Sequence, residues 1–465
     1  MLTAQYAVRG ALVQRAEVLE GKLKASKTSV PFDEIIYCNI GNPQQLQQPP
    51  LTFLRQVLSL VECPELLKVP GVAAAMPSDV VARAQAIIRA TAPSAGAYTH
   101  SKGLAFVREH VAQFIAERDG GHTANAEHIF LSDGASPAVK VGLTLLLRGK
   151  SDGILLPIPQ YPLYSATIAL LGGTQVPYYL DEANQWGLSV RELEQQWAAA
   201  KRAGVDVRAL VVINPGNPTG QVMTYDNIAE VVQWAAKRDV LLLADEVYQA
   251  NVYETGKQFH SFKKVLRDLK SPLQCFSFHS VSKGVMGECG KRGGYMEAVN
   301  VDDAVVEQIY KLNSINLCPN VPGQLTVDIM VKPPRKGDAS YERHTAEMRE
   351  IFDSLKRRAE RLAAMLNSLE GVTCNPAQGA MYAFPQVRLP PKAIAAAKSA
   401  KVAPDAYYCF QLLEATGICV VPGSGFGQRD GTHHFRTTFL PREDKVDKVA
   451  RLMTAFHSEF LKKHA

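Results

Sequence analysis

Between residues 128 and 310, short apolar runs alternate with amphipathic stretches, and this alternation restricts the fold more than any other feature of the chain. Strand-like runs fall at 129–132, 153–159, 174–179, 207–213, 240–244 and 274–279, with a further strand pattern at 292–296. Helical patterns lie at 133–147, 189–203 and 224–238. Apolar strands separated by helices predict an α/β fold, with a mostly parallel central sheet sandwiched by helices. Open sheets of this kind bind ligands at the carboxyl ends of their strands. The residues that follow each apolar run are therefore where chemistry is to be sought.

Three of those strand ends carry reactive side chains. The run 207–213 leads into Asn214-Pro215-Gly216-Asn217-Pro218-Thr219-Gly220, the run 240–244 into Asp245-Glu246-Val247-Tyr248, and the run 274–279 into Ser280-Val281-Ser282-Lys283-Gly284. Small neighbours leave room beside Lys283 for something flat and bulky, and an ammonium held in a pocket can lose its proton and attack a carbonyl. Covalent attachment of pyridoxal phosphate requires such a lysine. The same cofactor needs a carboxylate for its pyridine nitrogen, which Asp245 offers, and donors for its phenolic oxygen, which Asn217 and Tyr248 offer. The turn Asp133-Gly134-Ala135-Ser136 opens a helix and presents free N–H groups to an anion; Ser132 or Asp133 can also simply cap that helix. Arg292 offers a phosphate a guanidinium fork, with Ser280 and Ser282 as nearby hydroxyl donors. Tyr161 can stack on a pyridine ring or pack in the core. Arg436 sits within an apolar strand pattern, where an unpaired guanidinium is expensive. Its partner is either an internal carboxylate or the carboxylate of a substrate.

Asn-Pro-Gly-Asn-Pro-Thr-Gly at 214–220, Asp-Glu-Val-Tyr at 245–248 and the run from Ser280 to Tyr295 resemble the fold-type I pyridoxal-phosphate aminotransferases of class I and II. The likeness covers nearly the whole chain, from Tyr6-Ala7-Val8-Arg9-Gly10 to Phe435-Arg436. Within that family the sequence resembles the alanine aminotransferase branch. Arg292 follows Lys283 by nine residues where the generic pattern has eight, with Met286-Gly287-Glu288-Cys289-Gly290 between them. The resemblance implies an N-terminal arm over 1–60, a large cofactor-binding α/β domain over 61–325, and a smaller α+β C-terminal domain over 326–465 that packs with the N-terminal segment. It implies Lys283, Asp245 and Tyr248 as catalytic residues. Pyridoxal phosphate would be held by these together with Asn217, Ser280, Ser282, Arg292, Gly134, Ala135, Ser136, Tyr161 and Tyr98. Arg436, Gly41 and Asn217 would bind substrate, with no metal. Tyr98 would reach the cofactor phosphate of a neighbouring subunit, so the implied unit is a homodimer with a shared active site.

The implied reaction is a ping-pong transamination of L-alanine and 2-oxoglutarate to pyruvate and L-glutamate. Nothing in the residues alone selects alanine, and none is assigned to the second carboxylate of glutamate. The alternatives are another aminotransferase of the same fold (of glyoxylate type or broad specificity), an aminocyclopropane-carboxylate synthase, and a pyridoxal-phosphate-sensing regulator. The Met-Gly-Glu-Cys-Gly insertion speaks against the synthase, and the residues before Tyr37 are too few for a regulator's DNA-binding domain.

Composition excludes other classes. Among 465 residues, 46% are hydrophobic and 21% charged, and the net charge of +6 comes with no basic run of the kind that marks a nucleic-acid face. No apolar run approaches the length of a membrane span. Eight cysteines without a Cys-x-x-Cys pattern suggest neither a zinc site nor a disulfide framework, which points to reduced thiols and the cytoplasm. Residues 6–25 read as a helix with Arg9 and Arg15, which would suit a mitochondrial presequence, but also with Glu17 and Glu20, which would not; a mitochondrial fraction is the alternative to a purely cytoplasmic protein. Further along, 340–369 and 406–415 read as helices, 379–384 and 418–421 as strands, and 313–323 as a break in the pattern.

Overall fold

The computed structural model describes residues 10–26 and 29–465. Seven strands form the central sheet: β1 (Ile129–Ser132), β2 (Asp152–Ile158), β3 (Thr174–Tyr179), β4 (Asp206–Ile213), β5 (Leu241–Asp245), β6 (Cys275–Ser280) and β7 (Gly294–Val299), in the order β1-β7-β6-β5-β4-β2-β3. The block from β6 through β5, β4 and β2 to β3 is parallel, and β7 runs antiparallel between β6 and β1. Alternate residues of β4 show why both faces are covered. Leu210 and Val212 join a core with Ile228, Val231 and Phe262, whereas Ala209, Val211 and Ile213 join another with Val139, Leu143 and Ile168. A large aliphatic side chain withdrawn from water in this way contributes about 1.5–3 kcal/mol, so neither face can be left bare.

The covering helices start where the sequence supplies a cap. Thr224 accepts from the Asn227 amide at the head of Tyr225–Arg238, and the last turn of that helix carries Lys237 and Arg238, which suit its negative end. Asp302 caps Asp303–Ser314 in the same way. The stretch read as a break contains a missed helix, Val321–Val331. Its prolines and glycine suggest a loop, but Asn320 caps the Gly323 amide and proline is tolerated in a first helical turn.

The C-terminal region is built on the helices Tyr341–Asn367, Pro404–Thr416 and Glu443–Lys463. Between them lies a small antiparallel sheet with Phe435–Thr438 in the middle, flanked by Tyr382–Ala383 and Val421–Pro422. The strands expected at 379–384 and 418–421 are thus shorter and divided. Ile418–Cys419 pairs instead, in parallel, with Ile36–Tyr37 near the other end of the chain. Leu12, Ala16, Leu54 and Val57 share one continuous core with Leu362, Leu412 and Phe439, which ties the N-terminal helices to the C-terminal region. Of the helix expected at 6–25, Ala11–Ala25 is present and residues 6–9 lie outside the described residues.

Candidate active site

The carboxyl ends of β4, β5 and β6 open onto a cavity of about 680 Å³ lined by Ile213, Asp245 and Ser280, the last residue of each strand. Ile40, Gly41, Asn42, Gln44 and Gln45 and, from the C-terminal region, Tyr382 and Arg436 form other parts of its wall. Of the residues singled out above, Gly41, Ala135, Ser136, Tyr161, Asn217, Asp245, Tyr248, Ser280, Ser282, Lys283, Arg292 and Arg436 all line this one space.

Lys283 Nζ donates to the Gly41 carbonyl at 2.8 Å. A Cβ on Gly41 would collide with the Tyr382 hydroxyl and come within 3.1 Å of Lys283 Nζ, so only glycine keeps this corner open. Lys283 has no carboxylate within ion-pair distance among the described residues. Asp245 is buried, and burial pushes its pKa up to about 6 against hydrogen bonds that favour the ionised form. Tyr164 donates to its Oδ2 at 2.9 Å, while Oδ1 has only a 3.4 Å contact from the Val247 amide. Among the described residues no cation bonds this carboxylate, and only the more distant charge of Lys283 favours its ionised form.

Tyr248 donates to the Tyr382 hydroxyl at 3.1 Å. Burial and the neighbouring phenol push the Tyr248 hydroxyl well above its ordinary value, so it stays protonated. Burial also acts to raise Tyr382, but the charges of Lys283 and Arg436 outweigh it and lower that hydroxyl.

Arg436 is 1% exposed. Its guanidinium packs on the rings of Tyr382 and Phe426, at 4.2 and 4.6 Å. Nη1 donates to Asn217 Oδ1 at 3.1 Å and Nη2 to the Asn39 carbonyl, while Nε has no partner. None of these acceptors is charged, and no carboxylate among the described residues pairs with it. The internal salt bridge is therefore absent. A guanidinium held this deep with only neutral acceptors is arranged for an anion that comes from outside.

Arg292 has a left-handed backbone (φ 52°) that turns its side chain back over the site. It donates to the carbonyls of Cys289 and Asp133, each at 2.9 Å, and reaches Ser282 Oγ at 3.4 Å. The helix Ala135–Leu146 starts beside it without a side-chain cap. Neither Ser132 nor Asp133 takes the capping role: the Ser132 hydroxyl donates to the Gly134 carbonyl, and Asp133 Oδ1 accepts from Asn320. Free helix amides, Ser280, Ser282 and Arg292 thus make one anion-attracting corner.

Two expected residues stand apart. Gly134 does not line the cavity, and its amide already donates to the Ser132 carbonyl at 2.8 Å. Its contribution is space, because with φ +84° a Cβ there would collide with the Arg292 guanidinium. Tyr98 is 81% exposed and lies away from this cavity, near Cys318 and Pro319. Conversely, sequence reasoning missed Tyr164, Tyr382 and the Asn39 carbonyl. Tyr164 follows Tyr161 within the same turn, which is a weak local signal; Tyr382 and Asn39 have none.

The family model for aminotransferase class I and II matches residues 70–452. A Dictyostelium discoideum protein named probable alanine aminotransferase, mitochondrial, is 56% identical over 99% of this chain and 88% of its own. Glutamate–glyoxylate aminotransferase 2 of Arabidopsis thaliana is 50% identical over 99% of this chain and 95% of its own. The solved structure of an alanine aminotransferase from Pyrococcus furiosus superposes with a TM-score of 0.76 at 24% identity, over 98% of both chains, and so has the same fold.

Proposed function

The chain belongs to the class I and II aminotransferases, and from that premise we propose that it transfers the amino group of L-alanine to 2-oxoglutarate, giving pyruvate and L-glutamate, with pyridoxal phosphate as cofactor. The observation that carries the reading is Arg436, a fully buried guanidinium without an acidic partner, in the same cavity as Lys283. The donor set fits the cofactor. Asp245 lacks the cation that a protonated pyridine would supply, and the corner of Arg292, Ser280, Ser282 and the amides of Ala135 and Ser136 suits its phosphate, next to the space that Gly134 leaves. Asn217 and Tyr248 are donors for the phenolic oxygen, and Tyr161 lines the cavity where a ring would lie.

Bound pyridoxal phosphate supplies a carbonyl that takes up the amino group and a ring into which electrons released at the substrate Cα can spread. Arg436 grips the α-carboxylate of either substrate with its fork, between the faces of Tyr382 and Phe426. Gly41 leaves the room that this carboxylate needs. Lys283, released from the Gly41 carbonyl, takes the proton from the substrate Cα as a base and, as an acid, would give it to the carbonyl carbon of the cofactor rather than back to Cα. Asp245 holds a negative charge at the far wall, oriented by Tyr164. Tyr248 stays protonated and donates.

The domain division at 60 and 325 belongs to this reading, as does a homodimer in which the exposed Tyr98 serves the partner's site. The proposed location is the cytoplasm, with a mitochondrial fraction as the alternative that relatives named mitochondrial support. The test is a coupled assay of purified protein with L-alanine and 2-oxoglutarate, with pyruvate reported by lactate dehydrogenase beside a visible spectrum. Pyruvate formation and a visible band that bleaches with alanine support the reading. A band that ignores alanine discards alanine as donor. The likeness to a glutamate–glyoxylate aminotransferase favours one second reading, glyoxylate as acceptor, and the same assay with glyoxylate in place of 2-oxoglutarate decides between them.

A further inference from the structure

An aminotransferase that alternates between alanine and glutamate must hold two side chains of opposite character in one place, a methyl group and a second carboxylate. The cationic residues lining the cavity are Lys283, Arg292 and Arg436. The proposed function, on which this inference rests, uses all three: one for the proton, one for the cofactor phosphate and one for the α-carboxylate. A fourth buried cation would be left unpaired whenever alanine occupied the site, at high cost. A neutral donor answers the same need, because it can bond a carboxylate and costs far less when left idle.

Asn217, whose Oδ1 accepts from Arg436, is already assigned to the cofactor, and Gln44 is another neutral amide of the lining with its orientation fixed. Gln44 lines the wall, in the short turn Gln44–Leu46 that follows Gly41-Asn42-Pro43. Its Oε1 accepts from Arg55 Nη2 at 2.9 Å, and Arg55 is itself held by Glu288 through Nε at 3.1 Å and Nη2 at 2.9 Å. Arginine has only donors, so the oxygen of the Gln44 amide must face Arg55 and the nitrogen must point the other way. That nitrogen, Nε2, is buried and has no hydrogen-bond partner. Arg55 is not part of the cavity lining, whereas Gln44 is. A buried amide donor without a partner is costly unless something fills it, and Gln44 itself borders the substrate cavity. The neighbouring Asn42 amide is already spent on Gln45 Oε1, at 2.8 Å.

We propose that Gln44 Nε2 is the donor that reads the side-chain carboxylate of L-glutamate and 2-oxoglutarate, with the Arg55–Glu288 pair as the brace that fixes its direction. Alanine and pyruvate leave the donor idle, which is how one neutral residue serves both substrates.

The test is a set of four KM values measured on cofactor-loaded, full-length protein, forward with alanine and 2-oxoglutarate and in reverse with glutamate and pyruvate. Gln44→Leu removes the donor at similar volume, and its KM values for the two dicarboxylates should rise about tenfold relative to those for alanine and pyruvate. Gln44→Glu keeps the acceptor for Arg55 but replaces the donor with a negative charge, so the same ratio should rise further. Cofactor content read from the visible spectrum checks that both variants retain the site. An active wild type whose variants change all four KM values by a common factor, or none, overturns the assignment while leaving the proposed function standing. A wild type inactive toward all four substrates overturns both.

Discussion

Asp245 carries a charge that burial disfavours in the cofactor-free protein. Its folded-state pKa of about 6 lies above the ordinary 3.8 because it is buried. A carboxyl raised in this way binds its proton more tightly when folded, so its contribution to stability is fully present below 3.8 and is lost as the pH rises through about 6. At pH 8 the ionised group costs the cofactor-free protein about 3 kcal/mol, and at pH 5 about half as much. Asp245→Asn keeps the shape and an acceptor for Tyr164 while removing the charge. Equilibrium urea unfolding of the cofactor-free proteins should therefore find the variant about 3 kcal/mol more stable than the wild type at pH 8, and about half as much more stable at pH 5. The loaded enzyme should respond in the opposite sense. Without a negative charge at that wall, turnover should fall about 10²–10³-fold, the size of effect seen when one preorganised electrostatic group is removed. A variant less stable than the wild type at pH 8, or one whose gain is the same at both pH values, would refute the reasoning.

Arg436→Lys should raise KM for every amino-acid and keto-acid substrate by about 10–100-fold, because a point charge cannot reproduce the fork; steady-state kinetics with alanine and 2-oxoglutarate checks this. Gly134→Ala should weaken cofactor binding at least about tenfold by pushing Arg292 out of place, measured as retention of the visible band on dialysis. Lys263, on the helix Phe262–Asp268, and Glu297, on β7, form a fully buried ion pair. Lys263→Met should cost about 3–5 kcal/mol by stranding the carboxylate, and adding Glu297→Leu should recover most of the loss in urea unfolding.

What could be read in advance follows the physics of strand ends. Asn217, Asp245 and Lys283 each follow an apolar run, and a parallel sheet aligns those runs, so their meeting is a consequence of the fold class. Arg436 is legible for a different reason: a guanidinium in an apolar strand demands an explanation. Its actual partners were not legible, because the Asn39 carbonyl is a backbone atom and carries no side-chain signal. Tyr164 reaches Asp245 from a helix across the sheet, and Tyr382 sits in a two-residue strand, too short to show a period of two. Gln44 was invisible because its meaning lies in which end of its amide is free, and only Arg55 decides that. The helix Val321–Val331 was hidden by Pro322, which a first turn accepts.

The pairing of Ile36–Tyr37 with Ile418–Cys419, together with the bond from Arg436 to the Asn39 carbonyl across 397 residues, has a consequence for assembly. The seven strands of the central sheet all lie within residues 129–299 and pair with neighbours from that stretch. The substrate-facing wall cannot form within one stretch, because its two halves meet only after the loop between them has closed, and closing so long a loop is slow. During synthesis the early strand must wait, unpaired, for its late partner to emerge. Until then the nascent chain has the lysine and the acid that would hold a cofactor, but no seat for a substrate.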